Sequence, residues 1–477
     1  MKKRRKFLLI SCVLVLVVAA GGIFALTMHS AGSRFTMDEL LHDFDFMVNR
    51  MEETFPYFGV AQRRLGIDIQ ELAAQTRVII ENYPHSMQHA ADAAGIAVNQ
   101  LPPMDEHIFW SIVRHEFFGH FAPFGNAQML NYEDHRRLWS FYIPPALAQG
   151  SAHYIHNAML FTHSEVERFY RTQHEVAEGL AEDNPSLYYF IFRQEPAPHQ
   201  EAPPVLTTEI IEEGRIAYLN VSTFFATNLR QHSHPIDRFF MAVQDYDHLI
   251  IDIRDNDGGR IDFARMIIMH TIWADRDYMP TLPLYAFYRD TTQGRILGEA
   301  HIDTERRASR FMPEANYLFS ASDILVGNSF PQLNHADMQG LGYGMRFDAG
   351  MDYLRSNDFH FAQEQMWIPR HVLPFEGQIW LLTSENNRQA SAMFARQARE
   401  MNFATLVGEQ TSGGYTSTVM THFSLPNTRI LVSWDIDYLV DQYGRALEEF
   451  PTQPHYFNRP GMDALETVLA MIEEGVY

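Results

Sequence analysis

Two turns in the second half of this 477-residue chain carry residue types that can do chemistry. The first is Asp252-Ile-Arg-Asp-Asn-Asp-Gly-Gly259, at the end of the apolar run Leu249–Ile253. The second is Arg388-Gln-Ala-Ser-Ala392, which follows Ile379-Trp-Leu-Leu-Thr383 and precedes Thr405-Leu-Val-Gly-Glu-Gln-Thr-Ser-Gly-Gly414. Each reads as a buried strand that ends in a turn and opens a helix. That geometry presents backbone N–H groups at a helix N-terminus, where charge developing on a carbonyl oxygen can be held. One such donor is worth about 2.7–4 kcal/mol of transition-state stabilisation. The bland reading of the first turn is an ordinary strand-to-helix connection, where Asp, Asn and Gly are the expected residues.

With the strand Gly214–Val221 upstream, the ordered pair of turns resembles the core of the tail-specific (C-terminal processing) and tricorn-core-like serine peptidases. The resemblance implies an α/β core of the crotonase-like (ClpP/crotonase) type and a serine-type peptidase acting on extended peptides or unfolded protein tails. It puts oxyanion donors at Gly258 or Gly259 and the nucleophile at the head of the second helix, where this chain has Gln389. The general-base lysine of the processing peptidases falls on Gly414. A carboxamide has no oxygen basic enough to form an acyl-enzyme. Two readings stand. In one, Ser391 is the nucleophile and the Ala392 amide completes the oxyanion hole. In the other, hydrolysis is lost and the cleft, with Gln389 lining it, binds an extended peptide as an added strand. Two positions along a helix is a rotation of about 200°, which turns Ser391 away from the cleft of a regular helix.

Tricorn-like members use a histidine base near a Gly-His ending in the N-terminal region, and Arg114-His-Glu-Phe-Phe-Gly-His120 matches that ending, which puts His120 in the base role. A positioned base is worth roughly 10²–10⁴-fold in rate; the bland reading is an exposed member of the chain's 23 histidines. The same resemblance places their late glutamate on Glu448, in Leu447-Glu-Glu-Phe-Pro-Thr-Gln-Pro454. His115 and His120 are not at the i, i+4 spacing that zinc requires, so no metal site is expected, and no cofactor. No Gly-x-Ser-x-Gly elbow occurs, against an α/β-hydrolase.

These turns need a scaffold, and the chain is long enough for several packed units. Thr36-x-x-Glu39 is a capping box for a helix carrying Leu40, Phe44, Met47, Met51 and Phe55 at helical spacing up to Pro56. Further helices are expected over Ile69–Asn82, about Met104–Phe118 and from Ser164. Residues 195–204, rich in proline, form a linker between a helical N-terminal region (34–194) and an α/β domain (205–477). The region before the linker lacks the Gly-rich loop of a PDZ domain. Hydrophobic residues make up 46% of the chain, enough for a substantial core. The formal net charge of −22 excludes a phosphate-binding surface of the nucleic-acid type, so no nucleic-acid partner is expected. Cys12 is the only cysteine, so no disulfide forms within the chain.

Lys2-Lys-Arg-Arg-Lys6 precedes an uncharged run from Phe7 to Met28, the length of a membrane-spanning helix. The expectation is therefore a cytoplasmic basic tail and membrane anchor over 1–33, with the bulk of the chain extracytoplasmic. A cleaved signal peptide is the rival. The sequence leaves the substrate and the oligomeric state open.

Overall fold

The computed structural model describes residues 34–149, 152–194, 204–225, 229–271, 281–308, 318–350, 375–415 and 420–476. Its centre is a six-stranded sheet ordered Tyr456–Phe457, Thr405–Gly408, Gln378–Thr383, His248–Asp252, Ile216–Val221, Leu206–Glu212. All neighbours are parallel except the last pair. In the middle of the sheet Ile251 sits beside both Leu219 and Leu381, and Leu381 beside Leu406.

The uninterrupted apolar run at 249–251 follows from burial on both faces, as parallel strands require. Leu249 and Ile251 pack to one side with Phe263, Ile267, Phe394 and Ala398, from the helices Ile261–Met269 and Gln389–Glu400. Ile250, Trp380 and Leu382 pack to the other, against Val468, Met471 and Ile472 of the helix Ala464–Glu474. The two helices that open from the turns therefore share one face of the sheet. The turns themselves meet at one end of it.

Two antiparallel sheets complete the architecture. Gln128–Met129, Leu431–Trp434 and Thr421–Ser424 form one; Asp437–Asp441, Pro283–Arg289, Leu341–Asp348 and Phe319–Ser320 form the other. The sequence pattern over 280–375 had no legible order, because its strands pair with a segment near residue 440.

The capping box forms as read: Glu39 N–H donates to Thr36 Oγ1 at 3.3 Å, and Thr36 N–H to Glu39 Oε2 at 2.8 Å. It opens the helix Met37–Thr54. That helix also carries Asp43, fully buried, whose carboxylate accepts from Asn427 N–H, Thr428 N–H and Thr428 Oγ1 at 2.7–2.8 Å. The tie fastens the N-terminal helices to the turn after Thr421–Ser424, and helices and antiparallel sheets share one hydrophobic core.

The transmembrane helix expected as part of the fold is corrected. No helix among the described residues is long and apolar enough to cross a membrane. The apolar run 7–28, on which the expectation rested, lies outside the described residues, as does most of the linker 195–204.

Candidate active site

The helix Gln389–Glu400 begins in an unusual way. Gln389, its first residue, has φ +51°, a left-handed backbone that non-glycine side chains seldom adopt and that costs on the order of 1–3 kcal/mol. The conformation is held by a bond from Gln389 N–H to Gly413 O at 3.1 Å. It also turns the side chain out of the helix. Backbone outliers of this kind cluster at functional sites.

The side chain of Gln389 meets Asn126, from a segment far earlier in the chain. Its Nε2 donates to Asn126 Oδ1 at 3.0 Å and approaches Met420 Sδ at 3.2 Å. Asn126 is itself left-handed (φ +51°) and fully buried. Its Nδ2 lies 2.9 Å from Gly414 O and 2.9 and 3.0 Å from the two oxygens of Asp435. Those acceptors fix the amide orientation, because only the NH₂ end can face them. Oδ1 is then the only end left for Gln389.

Behind this pair lie buried acids. Glu448 is fully buried and accepts from the N–H of Gly414, of Tyr415 at 3.2 Å and of Gly125 at 3.4 Å. Burial pushes its carboxyl above the usual carboxylate range, opposed by Arg64 and by those N–H groups. Asp435 is pushed well up, by burial first and then by the charges of Asp437 and Glu448. The close approach to Glu448 needs glycine: a Cβ at Gly413 would sit 3.2 Å from both of its carboxylate oxygens, and the backbone there has φ +96°.

The first turn packs directly onto the second. A Cβ at Gly258, where φ is +105°, would fall 2.7 Å from Arg388 O and 2.8 Å from Gln389 Cβ. Gly258 N–H is taken by Asn256 Oδ1 at 3.0 Å. Gly259 N–H and Ala390 N–H have no acceptor among the described residues.

The residues proposed from sequence therefore divide. Gly258, Gly259, Gln389 and Glu448 are gathered around one site, with Asn126 and Asp435. Ser391 is fully buried; its Oγ lies 2.7 Å from Asn256 O and 2.8 Å from Arg388 O, and accepts from Arg388 N–H at 3.0 Å. That hydroxyl closes the first turn of its helix and pins it to the neighbouring turn. Ala392 N–H reaches back to Arg388 O at 3.4 Å, within the same turn. His120 is exposed, and its ring makes no hydrogen bond or ion pair with the described residues. No group of side chains suited to a metal ion occurs among the described residues.

Asn126 and Asp435 escaped the sequence reading. The signal available was Phe124-Gly-Asn126, a second glycine-containing turn six residues beyond Gly119-His120.

Gln389 and Asn126 thus form a carboxamide pair at the head of a helix, beside the Gly258–Gly259 turn and close to two buried acids. The chain belongs to peptidase family S41, whose family model matches residues 215–456. It is thus a member of the tail-specific protease family.

Among solved structures it is similar to a putative peptidase from Parabacteroides merdae (13% identity, TM-score 0.45, covering 92% of this chain and 97% of that one). It is similar too to mature CPAF complexed with lactacystin (10% identity, TM-score 0.48, 92% and 97%). A third is the photosystem II D1 C-terminal processing protease (13% identity, TM-score 0.31, 58% and 54%). These likenesses are too distant to assign any side chain. No curated protein matches the sequence.

Proposed function

We propose that this S41 member binds an extended peptide or unfolded protein tail in the family's cleft and does not form an acyl-enzyme there. The observation that carries the reading is the Gln389–Asn126 contact at 3.0 Å: the residue that the resemblance aligns with the nucleophile is a carboxamide, and its side chain is engaged by a second one. Neither has an oxygen that deprotonates at working pH, so the step that begins covalent catalysis has no donor. The open N–H groups of Gly259 and Ala390 support binding of a peptide carbonyl, and the sheet that carries the turns supports recognition of an extended chain. We place this action outside the cytoplasm on the strength of the basic cluster Lys2–Lys6 and the apolar run behind it.

The competing reading, a serine endopeptidase through Ser391 and His120, rests on family membership. The deciding experiment is labelling with a fluorophosphonate, run beside fluorescence-anisotropy binding of a panel of extended peptides. The expected result is peptide binding with no labelling. Strong labelling that Ser391→Ala abolishes would establish the displaced-serine enzyme instead.

A further inference from the structure

On the far side of the Glu448 main chain lies a cavity of about 260 Å³ with an unusual lining for an acidic protein. Arg64, Arg396, Arg399 and Arg445 converge on it, with Glu400 and Glu449 as the acidic members. Glu449 is already answered by Arg63, at 2.7 Å. Arg396 and Arg445 share one counter-ion, Asp441, at 3.1 and 2.6 Å.

Arg64 and Arg399 have no carboxylate partner in any ion pair among the described residues. Arg64 donates to the carbonyls of Glu448 and Ser412, and Arg399 to that of Gln453 at 2.7 Å. Arg396 adds a second, independent observation. Its side chain is 5% exposed, and its buried Nε–H has no acceptor among the described residues. Four arginines against two carboxylates leave the lining of the cavity net positive, which suits an oxyanion.

We propose that this cavity is a binding site for a small multivalent oxyanion, a phosphate group or a polycarboxylate. Four guanidinium groups offer forked pairs of N–H donors that match either chemistry. The cavity is also linked to the site: Arg64 bonds the backbone of Glu448, whose carboxyl accepts from the N–H groups of Gly125 and Gly414, the chain neighbour and a hydrogen-bond partner of Asn126. Occupancy is therefore felt at the same segment that supports the peptide site.

Isothermal titration calorimetry of the full chain with inorganic phosphate, and separately with citrate, at constant ionic strength tests the site. Saturable one-site binding is expected for at least one anion, and the tighter of the two identifies phosphate or carboxylate as the natural chemistry. Arg399→Ala, at a half-buried position, should weaken it roughly tenfold or more, the loss of a charge-assisted contact. Arg396→Lys keeps the charge but loses the planar fork of N–H donors and should weaken binding comparably. Arg459→Ala, a surface control paired with Glu474, should leave it unchanged. Absence of binding to both anions, or equal affinity in wild type and Arg399→Ala, would overturn the proposal; a thermal melt confirms that Arg399→Ala folds.

Discussion

Gln389 Nε2 donates to Asn126 Oδ1 across 3.0 Å, joining residues 263 positions apart in sequence. The contact closes a relay from Gln389 through Asn126 to Asp435, with Glu448 bonded to the backbone on both sides of it. The link between Gln389 and Asn126 joins two carboxamides, neither of which can take a proton from a nucleophile at neutral pH. The relay fixes the Gln389 side chain, while its left-handed backbone is tied by the N–H bond to Gly413 O.

Restoring ionisable partners to this contact should restore chemistry. Gln389→Ser alone is expected to react weakly with fluorophosphonate, because Asn126 is no base. Gln389→Ser combined with Asn126→His should react faster by roughly 10²–10⁴-fold, the contribution of a positioned general base. Second-order labelling rates measure it. A single Gln389→Ser variant that labels as fast as the double variant would show that Asn126 does not occupy the base position.

Ser391 is expected to matter for stability and not for the site. Its hydroxyl satisfies Arg388 N–H and a neighbouring carbonyl at full burial. Ser391→Ala should cost about 1–2 kcal/mol in denaturant unfolding, the usual loss of a capping hydroxyl, with peptide affinity unchanged. A variant of wild-type stability that loses peptide binding or labelling would contradict this role.

How far the sequence spoke depends on how local each interaction is. The central strands were legible because Leu249, Ile250 and Ile251 are buried on both faces, which forces an unbroken apolar run. The capping box at Thr36 and Glu39 was legible because both partners lie within four residues. Regular helical geometry did not place Ser391, because Gln389 is left-handed; the Ser391 hydroxyl is set by its bonds to Arg388 and Asn256. Asn126 was not legible: its place depends on a left-handed turn and on partners at Gly414 and Asp435, all set by the tertiary fold. Nor was the pairing of Pro283–Arg289 with Asp437–Asp441, since antiparallel register between distant segments leaves no periodic trace. His120 matched a pattern of letters, and the structure places it on the surface.

The buried acids give a pH dependence with a definite sign. Asp435 has its carboxyl pushed well above its ordinary value of 3.8, and Glu448 above 4.5. For a group raised in the folded state, the native protein holds the proton more tightly than the unfolded chain. Its contribution is therefore complete below the ordinary value and is lost as pH rises toward the folded value. Asp435→Asn removes that ionisation while keeping an oxygen for Asn126. The stability of the variant relative to wild type should rise with pH from about pH 4 upward. Urea unfolding at several pH values reads the difference, and a variant whose stability relative to wild type falls as pH rises would refute the assignment.

Asp43 should be among the costliest single polar positions in the N-terminal region. It is fully buried and accepts four hydrogen bonds from Asn427 and Thr428. Asp43→Ala leaves two backbone N–H groups and a hydroxyl without acceptors, a loss of roughly 3 kcal/mol or more. Asp43→Asn, which keeps one oxygen, should cost less. Equal, small effects of both substitutions in thermal unfolding would show that the tie is not structural.

The clearest test of a cleft that binds without attacking compares a peptide boronic acid with the peptide amide of the same sequence. A serine nucleophile adds to boron and forms a tetrahedral adduct that mimics the transition state, and such mimics bind 10²–10⁸-fold tighter than substrates. With Gln389 in the slot no adduct forms, and the open N–H groups of Gly259 and Ala390 meet only a ground-state oxygen. Calorimetry should therefore give the two ligands affinities within about a factor of ten of each other, a spread that uncatalysed contacts alone produce. In the Asn126→His, Gln389→Ser double variant the boronate should gain at least a hundredfold over the amide, by the same reasoning. A hundredfold preference for boronate in the wild-type protein, removed by Ser391→Ala, would return the serine hydrolase reading. The two outcomes differ in which residue controls the preference, so a single pair of ligands separates a binding cleft from a catalytic one.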